Sequence, residues 1–144
     1  MKISTKGRYA LRLLLDLAQH REMGAVALKD VAQRQEVSKK YLEQIIPAFT
    51  KSGILRTTRG FQGGYELNVS PDKITVGDIL RLTEGSLSPL DCVENNGADC
   101  PRGAECQVLW VWKGLSDAIT GYLDGVTLQD ILDRSSGSGY DYVI

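Results

Sequence analysis

Cys92, Cys100 and Cys106 are the only three cysteines of the 144-residue chain, and all lie in the stretch CVENNGADCPRGAEC. Clustered thiols serve metal or cluster ligation or reversible oxidation, because the thiolate is both a soft ligand and a nucleophile. Their spacing is C-x7-C-x5-C. Structural zinc usually draws on C-x2-4-C pairs and four donors, often including His, and the single histidine, His20, is distant in sequence. Zinc is therefore the weaker assignment. An iron-sulfur cluster with a fourth donor from elsewhere, and a thiol redox switch, both stay open.

The elements that must position these thiols are set by the rest of the chain. A length of 144 residues with 42 % apolar composition suits one compact domain with an appended element. Charges at Lys2, Lys6, Arg8, Arg12 and Asp16 interrupt the amino-terminal apolar residues, so no signal peptide or membrane span is expected and a cytoplasmic protein is. In that compartment thiols stay reduced, which favours metal or redox chemistry over a disulfide framework.

The net charge of -1 hides an asymmetry. Residues 1–65 carry twelve Lys or Arg against five Asp or Glu, a balance of +7, and residues 66–144 carry -8. A basic half is expected where phosphates are bound, since neutralising them releases condensed counterions.

Ala10, Leu13, Leu14, Leu17 and Ala18 recur at helical spacing, predicting a first helix capped by Ser4 or Thr5. LKDVAQRQ (28–35) and KKYLEQIIPAFTKSG, capped by Ser38 and stopped by Gly53, make a helix-turn-helix candidate. Pro47 is expected to kink or shorten the second of these helices. ILRTTRGFQGGYELNV then reads as a hairpin, with strands over 54–58 and 65–69 and Gly60, Gly63 and Gly64 in the turn. A hairpin directly after a helix-turn-helix is a wing, and Arg59 at its tip suits a narrow minor groove.

Thr75-Val-Gly-Asp78 is a capping box for ILRLTE, ended by Gly85. After the cysteine loop a longer helix is expected over about 104–123, where Val108, Trp112, Leu115, Ile119 and Tyr122 or Leu123 form a heptad-like seam that pairing with a second copy would bury. Thr127 and Asp130 cap a last short helix, and RSSGSG reads as a flexible linker. The expected fold is mostly α: a winged helix-turn-helix with a small β-hairpin wing and a long carboxy-terminal dimerisation helix. Its parts are a DNA-binding domain over 1–84, a cysteine loop over 85–106, the dimerisation helix over 104–125, and a short helix and tail over 126–144.

The pieces MKISTKGRYALRLLLDLA, VSKKYLEQI, RTTRGFQGGYEL and ITVGDILRLTEG resemble the IscR/CymR-like family of winged-helix transcriptional regulators, from residue 1 to about 134. The resemblance implies a homodimer that binds a palindromic operator in double-stranded DNA, with a recognition helix in the major groove and the wing in the minor groove. It places Tyr41, Glu43 and Gln44 on the recognition helix and Arg59 and Gly60 on the wing. Gln44 suits adenine edges, and Glu43 can accept from cytosine N4. Ser38, Lys39 and Lys40 lie where phosphates or base edges approach. Lys6 and Arg8 are either DNA-backbone contacts or packing residues.

For the thiols the resemblance implies an iron-sulfur cluster, of the [2Fe-2S] type, on Cys92, Cys100 and Cys106, with a His three residues beyond the last. Here that position is Leu109, which cannot ligate, and the first gap is seven residues where five is common. A carboxylate among Asp91, Glu94, Asp99 and Glu105, a more labile cluster, or a thiol switch without a cluster are the alternatives. The ending YDYVI resembles the tails by which serine acetyltransferases place a terminal Ile in cysteine synthase, so Tyr142, Val143 and Ile144 form a candidate partner peptide. A docked or disordered tail is the plainer reading. No nucleophile–His arrangement, phosphate loop or paired catalytic carboxylate motif points to an enzyme. A winged helix acting only as a protein-binding adaptor is the other class to separate from a DNA-binding regulator.

Overall fold

The computed structural model describes residues 2–94 and 105–138. Helix α1 spans Thr5–Gln19, and Ser4 caps it by accepting from the Gly7 N–H at 3.0 Å. Its apolar stripe, including Ala10, Leu13, Leu14 and Leu17, is wholly buried and forms the centre of the core. Helix α2 (Leu28–Gln35) and helix α3 (Lys39–Ser52) pack on it and on each other. The turn between them runs through Glu36 at φ 55, ψ 45, the one non-glycine left-handed residue described. That conformation costs a non-glycine residue, and here it closes the helix-turn-helix by bonding back to α2.

Helix α3 continues through Pro47 to Ser52, so the proline does not shorten it. The acceptor that Pro47 leaves without its helical donor belongs to Glu43, on the exposed side, where water can satisfy it. Gly53 ends the helix in the left-handed region at φ 88.

Strands β1 (Leu55–Thr58) and β2 (Gly64–Leu67) pair antiparallel with Leu55 opposite Leu67 and Thr58 opposite Gly64. Both strands are shorter than the sequence predicts. Val26, outside both strands, bridges to Tyr65 of β2, tying the chain ahead of α2 to the hairpin. The Gly64 requirement comes from this bridge: a Cβ there would lie 2.2 Å from the Val26 carbonyl oxygen. Gly64 is thus a strand residue whose smallness admits another backbone, not part of the turn.

Helix α4 (Val76–Glu84) begins with the expected capping box, Asp78 N–H to Thr75 Oγ1 at 2.9 Å and Thr75 N–H to Asp78 Oδ2 at 3.0 Å. After the four-residue α5 (Asp91–Glu94), α6 spans Leu109–Asp124 and α7 spans Leu128–Ser138. The dimerisation-helix candidate therefore starts at Leu109 instead of residue 104, with Val108 as its N-cap and Cys106 ahead of it. The RSSGSG stretch is helical as far as Ser138, not a linker from Arg134 onward. Leu128, Ile131 and Leu132 anchor α7 in the core shared with α1, and Thr127 and Asp130 cap it reciprocally at 3.0 Å. Among the described residues no helix is long and apolar enough to cross a membrane.

Candidate nucleic-acid interface

Burial of Leu42, Ile45, Ile46 and Phe49 fixes the rotation of α3. The opposite face then has to look outward, and Ser38, Lys39, Lys40, Glu43 and Gln44 are all exposed on it. Ser38 Oγ accepts from the Tyr41 N–H at 3.0 Å, which leaves its own proton free to donate. Lys39 Nζ lies 3.8 Å from Glu43 Oε1, a solvent-screened pair that competing phosphates can open.

Tyr41 is half-buried, and its ring meets Tyr9 edge-on at 5.6 Å with the planes 82° apart. Arg12 sits 5.2 Å over the Tyr9 ring and binds Gln35 through its side-chain oxygen at 3.1 Å and through its backbone carbonyl. This row of α1 side chains braces the start of α3. Arg8 is exposed and donates to Thr5 Oγ1 at 3.1 Å, while Lys6 is half-buried, so the two present unequal surfaces to a phosphate.

A second brace lies beneath it. Asp16, 1 % exposed, accepts from Arg34 Nη2 at 2.6 Å, Arg34 Nε at 3.0 Å and Gln35 Nε2 at 2.9 Å. Burial alone pushes this carboxyl upward. The hydrogen bonds from Arg34 and Gln35 and the positive charge of Arg34 outweigh it, holding Asp16 below the usual 3.8. The same contact raises Arg34. In the sequence Asp16 is one charge among several in the first helix, and its one signal is an acid placed among the apolar positions of α1.

Beside α3, the wing places Arg59 and Gly60 at an exposed tip, with Gly60 at φ 112. Lys29, Lys39, Glu43, Gly63 and Tyr65 line one cleft between α3, the start of α2 and the wing. Lys39 and Glu43 of the recognition-helix candidates thereby share a cleft with the Gly63–Tyr65 edge of the hairpin, whereas Arg59 and Gly60 do not line it. Arg56 is occupied across the hairpin by Glu66 at 2.9 Å.

The thiols are positioned elsewhere. Cys92 falls in α5, which packs against α6, and the half-buried Cys106 lies three residues ahead of the start of α6. Cys100 and the tail candidates Tyr142, Val143 and Ile144 lie outside the described residues, as does the side chain of Cys92. Leu109 opens α6, so the position at which the resemblance implies a histidine is the first helical residue. Among the described residues no three His, Cys, Asp or Glu side chains converge as a metal site. Three thiolates are nonetheless a donor set suited to an iron-sulfur cluster.

Along α6 no residue is fully buried. Trp110, Val111, Trp112, Leu115 and Tyr122 are exposed, whereas Leu123 packs with Val76, Leu80 and Leu87. Tyr122 and not Leu123 therefore belongs to the open surface.

Comparison with known proteins gives one consistent result. The profile described as "Rrf2: Iron-dependent Transcriptional regulator" matches residues 3–134. The chain is 38 % identical over 143 residues to the HTH-type transcriptional regulator CymR of Bacillus subtilis, covering 99 % of this chain and 98 % of that protein. The solved structure of B. subtilis CymR, described as the global cysteine regulator, superposes with a TM-score of 0.77 over 93 % of this chain and 98 % of that one, at 38 % identity. That of T. potens IscR superposes with a TM-score of 0.73 over 94 % of this chain and 88 % of that one, at 40 % identity.

Proposed function

Since the chain belongs to the Rrf2 family of transcriptional regulators, we propose that it is a dimeric, sequence-specific DNA-binding regulator, acting as a repressor, that reports iron-sulfur cluster status through Cys92, Cys100 and Cys106. The observation that carries the DNA reading is the cleft in which Lys39 and Glu43 of α3 meet Gly63 and Tyr65 of the wing hairpin, beside the exposed Ser38, Lys40 and Gln44 and within a half of charge +7. α3 enters the major groove, where Gln44 and Glu43 address base edges. Lys39 and Lys40 neutralise phosphates, and Arg59 enters the adjacent minor groove.

The apolar face of α6 supports the dimer. Trp112, Leu115 and Tyr122 share one side of the helix and form more exposed apolar surface than an isolated helix keeps in water, and a second copy is the partner that a two-fold operator requires. Recognition helices must then sit about 34 Å apart, so small shifts where α6 meets the winged domain change affinity.

The three thiolates would hold the cluster, and its chemistry when bound is a redox-labile cross-link of the segment joining α5 to α6. The chain's own part is to carry Cys92 on α5, which packs against α6, and Cys106 three residues ahead of α6, so a group held by these thiols would be linked to α6 at both ends. A second reading is favoured by Leu109 in place of histidine and by likeness to CymR over nearly its full length: a thiol-redox or cysteine-metabolism regulator without a cluster, controlled through cysteine synthase bound at Tyr142, Val143 and Ile144.

Anaerobic purification followed by visible absorbance and iron and sulfide analysis separates the two. Stoichiometric iron and sulfide, lost on serine replacement of Cys92, Cys100 and Cys106, supports the cluster. Unchanged absorbance and operator affinity in those variants defeats both forms of thiol sensing. Deletion of Val143 and Ile144 tests the partner peptide by co-purification with cysteine synthase.

A further inference from the structure

The wing ends in an apolar side chain that the fold does not use. The Gly63 N–H donates to the Gly60 carbonyl at 3.0 Å, which places Phe61 and Gln62 at the apex of the turn. Phe61 is fully exposed there. Among the described residues, apart from Met23 and Leu90, the other large exposed apolar side chains all fall between Val108 and Tyr122, at or within α6. Pairing through α6 covers that group and leaves Phe61 in water.

The surroundings of Phe61 say what kind of surface it meets. Arg59 stands two residues before it, and no Asp or Glu occurs between Arg56 and Tyr65. Glycines at 60, 63 and 64 strip side chains from the flanks of the ring, so the tip is narrow. The B-DNA minor groove is about 6 Å wide between two phosphate rails, which suits a cationic tip led by one aromatic ring and not a broad protein face. Phe is among the apolar residues that unstack a base step from the minor groove and kink the duplex by about 20–90°.

We propose that Phe61 is a minor-groove wedge: guided by Arg59, its ring enters one base step and bends the operator toward the major groove held by α3. The proposal rests on the DNA-binding reading above. Gln62 presents an amide to the adenine N3 and thymine O2 acceptors beside that step. The wedge works with least deformation at TA or CA/TG steps, which unstack most easily, so operators carry such a step where the wing lands. It therefore contributes to specificity at a position that no hydrogen bond reads.

The test uses the full-length chain and a duplex that it enriches from a randomised pool. Bend angle is measured by energy transfer between end labels, and unstacking by 2-aminopurine placed at the wing step. Phe61→Ala, at an exposed position outside the core, keeps the melting temperature. It is expected to abolish the 2-aminopurine signal, straighten the duplex and weaken binding about tenfold, while Phe61→Leu keeps most of the bend. Equal affinity, bend and fluorescence in Phe61→Ala overturn the wedge and leave DNA binding standing; they are also the result if Phe61 serves a protein partner. Failure to enrich any duplex overturns the DNA reading together with the wedge.

Discussion

Asp124, the last residue of α6, accepts two parallel hydrogen bonds from Arg81 of α4, at 2.8 and 2.7 Å, directly over Gly77. A Cβ at Gly77 would lie 2.0 Å from Asp124 Oδ1. The junction of the winged domain with α6 is thus set by an ion pair seated on a glycine. Backbone bonds from Val76 N–H to the Val126 carbonyl at 2.8 Å and from Leu128 N–H to the Ile74 carbonyl at 2.9 Å complete it.

Gly77→Ala is expected to displace that carboxylate and lower stability by about 1 kcal/mol despite the better helix propensity of alanine. In an Asp124→Ala background the same change becomes neutral or stabilising, because the obstructing oxygens are gone. Chemical denaturation of the four chains of this cycle measures the coupling. Additive effects would show that Gly77 and Asp124 do not meet.

Acid sensitivity should be traceable to Asp16. Its folded value lies below the usual 3.8, so the folded state binds fewer protons than the unfolded chain as pH falls through that range. Stability from this group is therefore complete above the unfolded value and is lost as pH drops toward the lowered folded one. Asp16→Asn costs about 1–3 kcal/mol at neutral pH, since Arg34 and Gln35 lose their charged acceptor. It also flattens the loss of stability below about pH 4. Thermal melts of both chains from neutral pH to acid check the sign.

On the DNA reading, Arg59→Ala weakens operator binding and lowers the slope of log affinity against log salt by about 1, the signature of one lost phosphate or groove contact. Gln44→Ala behaves differently. It removes discrimination at one base pair, worth about 1–3 kcal/mol there, and leaves the salt slope unchanged. Titrations at several salt concentrations on matched and single-substituted duplexes distinguish the two.

Leu115→Glu, and Trp112→Glu beside it, place charge within the exposed face of α6. Sedimentation should show monomers with a near-native circular dichroism spectrum, because neither side chain belongs to the buried core. A persistent dimer would move the interface off this helix.

Much of this molecule is legible without its structure. Helix α1 follows from Leu13, Leu14 and Leu17 at helical spacing, α3 from the Ser38 cap and the Gly53 stop, and α4 and α7 from reciprocal Thr–Asp caps. These signals act within a few residues, since a cap or an apolar stripe depends on neighbours one turn away. The exposed ribbon of α3 was equally readable, as the complement of the buried stripe. Helicity beyond Arg134 was not: propensity favours a linker, and docking of Leu128, Ile131 and Leu132 onto α1 overrides it.

What the tertiary structure alone decided are pairings between residues remote in sequence. Ser4 N–H and Oγ both meet Glu84 Oε1 at 2.7 Å, Gly64 admits the Val26 backbone, Arg34 neutralises Asp16, and Asp124 closes over Gly77 onto Arg81. Each residue type was visible in the sequence, but its partner was not. Local periodicity orients a side chain on its own element, whereas which charge or glycine it meets depends on how whole helices dock, and docking is settled by the packing of the shared core.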